Sequence, residues 1–218
     1  MDIMKPKEEE VKLLYDKFAS SLLSMQLDAF FGRSTENSIY RKRAIATLNL
    51  NTNSTVLDVA CGIGYNFKII QSYLQNKGKF VALDISPKSL EVANGKIRKN
   101  KWTNMELVNK SISDYKPDFT FDAILCTYAM EIIPDYKKAI DTIFNLIKPK
   151  GRFAMIGMKL SSKFPFTILN LFFKALYISG GINPYRDPIT YIKSKFNKIE
   201  YYKKCFFGYA YILSAIKY

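Results

Sequence analysis

Hydrophobic positions change their rhythm three times along the chain. From Glu8 to Leu50 they recur at steps of three or four (Leu13, Leu14, Phe18, Leu22, Leu23, Leu27, Phe30, Phe31), which predicts N-terminal helices. Gly32 to Thr35 interrupt that pattern, and a second helix is expected from about Ser38 to Leu48 with Ile39, Ala44, Ile45 and Leu48 inward. After an asparagine-rich turn at 49–53, short apolar runs take over at Thr55–Ala60, Lys79–Leu83, Met105–Asn109, Phe121–Thr127 and Gly151–Met158. Helical segments fall between them at Tyr65–Lys77, Pro87–Asn100 and Asp135–Ile147, the last stopped by a turn through Lys148, Pro149, Lys150 and Gly151. Such alternation is the signature of a parallel sheet with crossover helices. In the tail, Lys198–Phe206 and Tyr209–Lys217 flank Phe207 and Gly208, which predicts an antiparallel hairpin and a sheet of seven strands. Leu160–Asp187 fits neither pattern and reads as an insertion.

Composition narrows the classes. The 218 residues are 48% hydrophobic and 24% charged, ordinary values for a globular chain, so disordered, collagen-like and coiled-coil readings fall away. Histidine is absent, which removes the usual general base near neutral pH and the commonest metal ligand. Cys61, Cys126 and Cys205 form no C-x-x-C pair, so neither a zinc ribbon nor a disulfide framework is indicated; no metal is expected, and a reducing cytoplasm fits best. The first ten residues lack an apolar stretch of secretory type, and no run reaches the roughly 18 apolar residues of a membrane span. The nearest, Phe164–Phe173, sits between Lys163 and Lys174 and reads as a buried or interfacial helix, compatible with a peripheral position at a membrane.

The stretch from Val56 to Asn66 (VLDVACGIGYN) carries the chemistry: an apolar strand enters a glycine turn that opens a helix. Small residues there let a nucleotide-like ligand approach the backbone at the strand's carboxyl end and the helix N-terminus. The next strand ends in Asp84, 84 − 64 = 20 positions after Gly64, where a carboxylate can accept both hydroxyls of a ribose. Two cofactor classes meet these conditions, nicotinamide dinucleotides and S-adenosylmethionine. A pyrophosphate fingerprint needs glycine at position 67 for close helix packing, and Phe67 weakens that reading.

Over roughly Tyr15 to Lys217 the chain resembles the class I S-adenosylmethionine-dependent methyltransferases. The resemblance lies in Asp58 to Gly64, in Leu83-Asp84-Ile85-Ser86, in Phe121 to Leu125 and in Leu146 to Arg152. Through Tyr15-Asp16 and Tyr40-Arg41 it is similar, more loosely, to the ubiquinone/menaquinone C-methyltransferases and the bacterial phosphatidylethanolamine N-methyltransferases. The resemblance implies an α/β, Rossmann-like fold: a seven-stranded, mostly parallel sheet with a C-terminal antiparallel hairpin and N-terminal helices. It implies a single methyltransferase domain over 1–218, divided into an N-terminal helical cap (1–50), a cofactor-binding core (51–159), an apolar insertion (160–187), and a final helix with the hairpin (188–218).

The same resemblance assigns the site. Asp58 and the turn Ala60, Cys61, Gly62, Gly64 and Asn66 face the methionine part of S-adenosylmethionine, Asp84 holds the ribose, and Ile85 packs beside adenine. Where relatives carry an Asp that accepts from the adenine amino group, this chain has Ser111, followed by Ile112 as a cover for the ring. Tyr15 and Arg41 are candidates for a lid, with ordinary helix packing as the equal alternative. In the loop after the fourth strand, Thr127 and Tyr128 are placed to touch cofactor; Tyr128 and Glu131 are the catalytic candidates, Glu131 as acid or base or simply as a helix-start carboxylate. That loop lacks Asn-Pro-Pro-Tyr, which argues against methylation of base amines. Cys61 and Cys126 read better as small apolar packers than as reactive thiols.

Charge points to the acceptor. Of a formal net charge of +14, Lys148–Tyr218 contributes 13 − 2 = +11, beside the apolar aromatic run of the insertion. Basic and apolar features together suit a hydrophobic or lipid-like acceptor, of phospholipid headgroup or quinone type, and an anionic membrane surface. An RNA methyltransferase and a non-catalytic S-adenosylmethionine-binding protein are the alternatives; nucleic acid is the weaker partner, since no stacking motif or appended RNA-binding module accompanies the charge.

Overall fold

The structure is a computed structural model that describes residues 6–19, 38–196 and 198–218. Its spine is a sheet of β1 (Thr55–Val59), β2 (Lys79–Asp84), β3 (Met105–Asn109), β4 (Phe121–Thr127), β5 (Ile147–Met158), β6 (Lys198–Cys205) and β7 (Ala210–Ile216). The strand order is β3-β2-β1-β4-β5-β7-β6, parallel except for β7, which runs antiparallel to both neighbours. The order reverses between β1 and β4, so a crevice opens at their carboxyl ends, the usual ligand position in such sheets. β1 and β4 are buried almost throughout, as expected for strands covered on both faces.

The helices are α1 (Glu8–Ala19), α2 (Ile39–Ala46), α3 (Phe67–Leu74), α4 (Pro87–Asn100), α5 (Tyr136–Leu146), α6 (Asn170–Ser179) and α7 (Pro188–Lys195). Their starts are written locally. Ser86, Asp135 and Asp187 each accept the N–H three residues on, at 3.1 Å, and Pro87 and Pro188 occupy first helical positions where a missing N–H is harmless. α5 buries Ala139, Ile140, Ile143 and Leu146 on one stripe against Phe153 and Ile192, each large apolar side chain contributing about 1.5–3 kcal/mol. On the other face, Ala44, Ile45, Phe67, Ile70 and Leu90 pack on Val56, Phe80 and Ala82. A third cluster joins Val11 of α1 to Phe173, Tyr177, Met158, Ile132, Ile182 and Tyr209, tying the insertion to the strand ends.

The strands and hairpin stand where the hydrophobic runs place them, with local differences. α3 starts at Phe67, not Tyr65, because the glycine turn is still being made at Gly64, and it ends at Leu74 because Gln75 and Asn76 take left-handed φ. The expected turn through Lys148–Gly151 is absorbed into β5: its register against β4 shifts there, and Lys150 donates its N–H to Lys217 O at 2.6 Å. Ile39, expected inward, is exposed, whereas Ala44, Ile45 and Leu48 are buried. On α1, Leu13 points to solvent and Val11 is the buried contact, since the helix lays its Val11–Tyr15 side over the crevice. Leu22, Leu23, Leu27, Phe30 and Phe31 lie outside the described residues.

One expected motif is structural. Asp122 sits at the amino end of β4, away from the crevice, where its carboxylate accepts Thr55 N–H at 2.8 Å and pairs with Lys148 at 2.9 Å. Among the described residues no helix is long and apolar enough to cross a membrane.

Candidate active site

The crevice holds a cavity of about 280 Å³. Its floor is made by strand ends. The chain leaves β1 with Ala60, Gly62 and Gly64 all at positive φ (53°, 55° and 80°), a path that only glycine takes without strain, so Ala60 is a strained position at the cavity wall. A Cβ placed on Gly62 meets nothing within 4 Å, so the backbone there faces open cavity; at Gly64 it would strike the Phe67 ring at 2.6 Å. Phe67 packs edge-on against Phe80 and Trp102, filling the space that the third glycine of a dinucleotide site leaves to helix backbone.

Asp84, at the tip of β2, accepts Gly62 N–H at 2.7 Å and Ser86 N–H at 2.9 Å, one on each oxygen. Burial raises its pKa, against the backbone N–H groups of Ser86, Gly62 and Ile85. A carboxylate so held keeps further lone pairs for hydroxyl donors. Ser86, the cap of α4, in turn donates to Asp16 of α1 at 2.5 Å, which locks the first helix over this end of the cavity.

Behind the floor lies a buried polar chain. Asn66 Nδ2 donates to both oxygens of Asp58 at 3.0 Å, and Arg41 Nη1 donates to Asn66 Oδ1 at 2.8 Å and to Thr127 Oγ1 at 2.6 Å. Burial lifts the Asp58 carboxyl from 3.8 to about 7, with the Asn66 hydrogen bond and the Arg41 charge opposing. Arg41 reaches the cavity wall between the Tyr65 and Tyr128 rings, 5.4 and 5.1 Å from their centroids. α2 therefore supplies a cation at the floor, joining β1, α3 and β4.

The roof is apolar. Val11, Ile132, Ile133, Met158, Leu176 and Ile182 line it, drawn from α1, the loop after β4, β5 and the insertion. Tyr128 begins that loop with φ at 60°, its N–H donating to Ile156 O at 2.7 Å. Glu131 points away from the cavity. It is fully buried, and its Oε1 accepts Tyr211 O–H at 2.8 Å and Met158 N–H at 3.1 Å, while Oε2 has no hydrogen-bond partner among the described residues. Burial lifts its carboxyl from 4.5 to about 7, against Tyr211, Met158 and the Arg186 charge. Gly157 permits this arrangement, because a Cβ there would lie 2.2 Å from the Tyr211 ring and 2.4 Å from Glu131 Oε1. Arg186, at the end of the insertion, donates to the carbonyls of Glu131, Ile133 and Pro134 and so fixes the loop's outline.

Of the residues singled out in the sequence, Tyr15, Ala60, Cys61, Gly62, Asp84, Ile85, Ser111, Ile112, Thr127 and Tyr128 line the cavity. Asp58, Gly64 and Asn66 lie behind its wall as supports, and Glu131 is a buried anchor of the loop, not a group facing substrate. Cys61 and Cys126 are buried, unpaired thiols whose pKa burial raises well above the ordinary value, consistent with packing. The apolar roof residues and Arg186 were not singled out. The Met158 strand end, the Ile132-Ile133-Pro134 run and, for Leu176, the apolar run of the insertion carried a local signal for them. Among the described residues no cluster of His, Cys, Asp or Glu is placed to hold a metal ion.

Residues 50–183 match a family described as a methyltransferase domain. A demethylmenaquinone methyltransferase of Listeria welshimeri is 25% identical over 151 residues, 69% of this chain and 63% of that protein; one of Lactococcus lactis is 26% identical over 155 residues, 70% and 60%. The chain thus spans just over three fifths of these relatives' length. Among solved structures, phospholethanolamine N-methyltransferase 2 of Haemonchus contortus superposes with a TM-score of 0.75 at 14% identity, covering 95% of this chain and 60% of that one. The N-methyltransferase NodS of Bradyrhizobium japonicum, in complex with S-adenosylhomocysteine, gives 0.68 at 13%, covering 95% and 98%. The fold is shared with these solved methyltransferases. This chain belongs to the methyltransferase domain family.

Proposed function

We propose that the protein transfers a methyl group from S-adenosylmethionine to a small or lipid-like hydrophobic acceptor, of phospholipid headgroup or quinone type. The observation that carries this reading is the cavity's two-part lining: a floor with a recessed carboxylate and open backbone, and, beside Glu8, an apolar group of Val11, Ile132, Ile133, Met158, Leu176 and Ile182. The names of the demethylmenaquinone methyltransferases, which denote a quinone acceptor, support it.

The cofactor fits the residues present. Asp84 would accept the ribose hydroxyls, Ile85 and Ile112 would border the adenine together with Ser111, and Gly62 would lie beside the methionine portion, whose carboxylate Arg41 would complement. Asp58 and Asn66 act one step removed, by aiming Arg41 and Thr127. When bound, the cofactor supplies an electrophilic methyl on a sulfonium. The protein's part is to hold an acceptor atom in line with that methyl and to exclude water, and such positioning can account for most of the acceleration. Tyr128 stands at the junction of floor and roof and bounds the acceptor. Because Glu131 faces away, no side-chain base is assigned, which suits a neutral amine as nucleophile: its lone pair attacks the methyl group first, and a proton leaves to water afterwards.

The test is to incubate the protein with methyl-labelled cofactor and a lipid extract, a small-metabolite pool and tRNA in parallel, and to read mass shifts. Label in an apolar lipid or quinone is the expected outcome. Label confined to tRNA overturns the acceptor class, and cofactor binding without label anywhere overturns turnover.

A further inference from the structure

The insertion has a second face. On α6, Phe173 and Tyr177 are buried and Leu176 lines the cavity, yet Leu171 is 79% exposed and Phe172 59%. The turn that leads into the helix adds Phe164 at 83% and Ile168 at 73%. Phe207, from the hairpin between β6 and β7, is 58% exposed and stacks on Phe166 with ring centroids 4.4 Å apart, so it extends the same surface. Ser161 Oγ donates to Phe207 O at 2.7 Å, fastening the two segments together. Large apolar side chains concentrated so densely in water mark a contact surface.

Its border is cationic. Lys163 adjoins Phe164, and Lys204 Nζ reaches Ser162 Oγ at 3.1 Å, beside it. From Lys159 to Arg186 the chain carries Lys159, Lys163, Lys174 and Arg186 and no acid. Glu8 of α1 shares the cavity wall with Ser179 and Gly180 at the far end of α6. A second copy would oppose lysine to lysine on a chain already at +14, and nucleic acid has no use for exposed Leu171 and Ile168. Apolar side chains bordered by lysines match the headgroup boundary of an anionic bilayer.

We propose that the outer face of this insertion docks on an anionic phospholipid surface, seating Phe164, Ile168, Leu171, Phe172 and Phe207 at the headgroup boundary with Lys163 and Lys204 beside the phosphates. The inner face of the same helix then borders the acceptor cavity, so one helix separates membrane from active site. The surface stands on its own geometry and does not depend on the acceptor proposed above.

Flotation of the full chain with vesicles of equal parts phosphatidylglycerol and phosphatidylcholine tests it, with pure phosphatidylcholine vesicles alongside. The protein is expected to float with the anionic vesicles and about tenfold less with the neutral ones. Leu171→Asp combined with Phe172→Asp is expected to lower the floated fraction about tenfold while S-adenosylhomocysteine affinity, read by calorimetry, is unchanged. Should that variant fail to fold, Lys163→Glu with Lys204→Glu reports on the rim alone and is expected to abolish the preference for anionic vesicles. Equal flotation of variants and wild type, no flotation of wild type, or loss of self-association or tRNA binding in its place overturns the proposal. Docking without methylation of any lipid leaves this surface standing and removes the acceptor reading; methylation without docking does the reverse.

Discussion

The floor and the roof of the cavity each hide a carboxyl that burial lifts to about 7, and the two are treated differently. Asp58 has both oxygens engaged by Asn66, which passes the connection on to Arg41 and Thr127 at the cavity wall. Glu131 has one oxygen held by Tyr211 and Met158 and the other without a partner among the described residues, and it contacts strands rather than the cavity. A satisfied acid in a network aims other groups at a ligand. A half-satisfied one strains the fold while fixing a loop. The lesson is that burial and a shifted pKa mark both, and only the direction of the side chain separates an acid that aims other groups at the cavity from one that anchors the loop.

The largest effect that sharpens this contrast is on stability. A carboxyl with a higher pKa folded than unfolded keeps its proton longer in the native state, so stability is fully present below the unfolded pKa of 4.5 and is lost as pH rises to the folded value of about 7. Glu131→Gln removes that loss, and denaturant titrations across this window are expected to show the variant gaining about 3 kcal/mol over wild type between its acid and neutral ends. A parallel pH profile for the two proteins breaks the anchoring account.

Next is the floor. Asp84→Ala leaves the Gly62 and Ser86 N–H groups without their partner and removes the carboxylate proposed to accept the ribose, and S-adenosylhomocysteine affinity is expected to fall about hundredfold in calorimetry. A change below about threefold would show that the floor does not hold the ribose.

Gly157→Ala acts under the roof alone. Its Cβ would displace Tyr211 and Glu131, so the folded state is expected to lose about 2 kcal/mol, read as a lower denaturation midpoint. The smallest effect separates roof from floor during turnover. Leu176→Trp is expected to lower kcat/KM for the acceptor about tenfold with cofactor affinity unchanged. Equal losses in both would mean that the cavity is not divided as described.

How much of this was legible in the chain differs between the same two regions. The floor is written in consecutive residues: an apolar run fixes β1, glycine stands at two of the three positions where φ turns positive, and Asp84 falls at the tip of the next strand in parallel register with β1. Even Phe67 announced its consequence, since its bulk at the third glycine position is visible without coordinates. The roof was not legible in this way. Glu131 reads equally as an acid at the site or as a structural carboxylate until Tyr211, 80 residues on, is seen to take it.

Sequence alone therefore determined the strand order's raw material, the glycine turn, the acid at the tip of β2 and the apolar, basic character of the insertion. Each follows from local periodicity or from a backbone conformation that few residues tolerate. Tertiary structure decided which way the loop carboxylate points, that Arg41 crosses to Thr127, and that α6 gives one face to the cavity and another to solvent. Those outcomes depend on contacts between segments far apart in the chain, where side-chain aim is set by packing and hydrogen-bond satisfaction rather than by spacing.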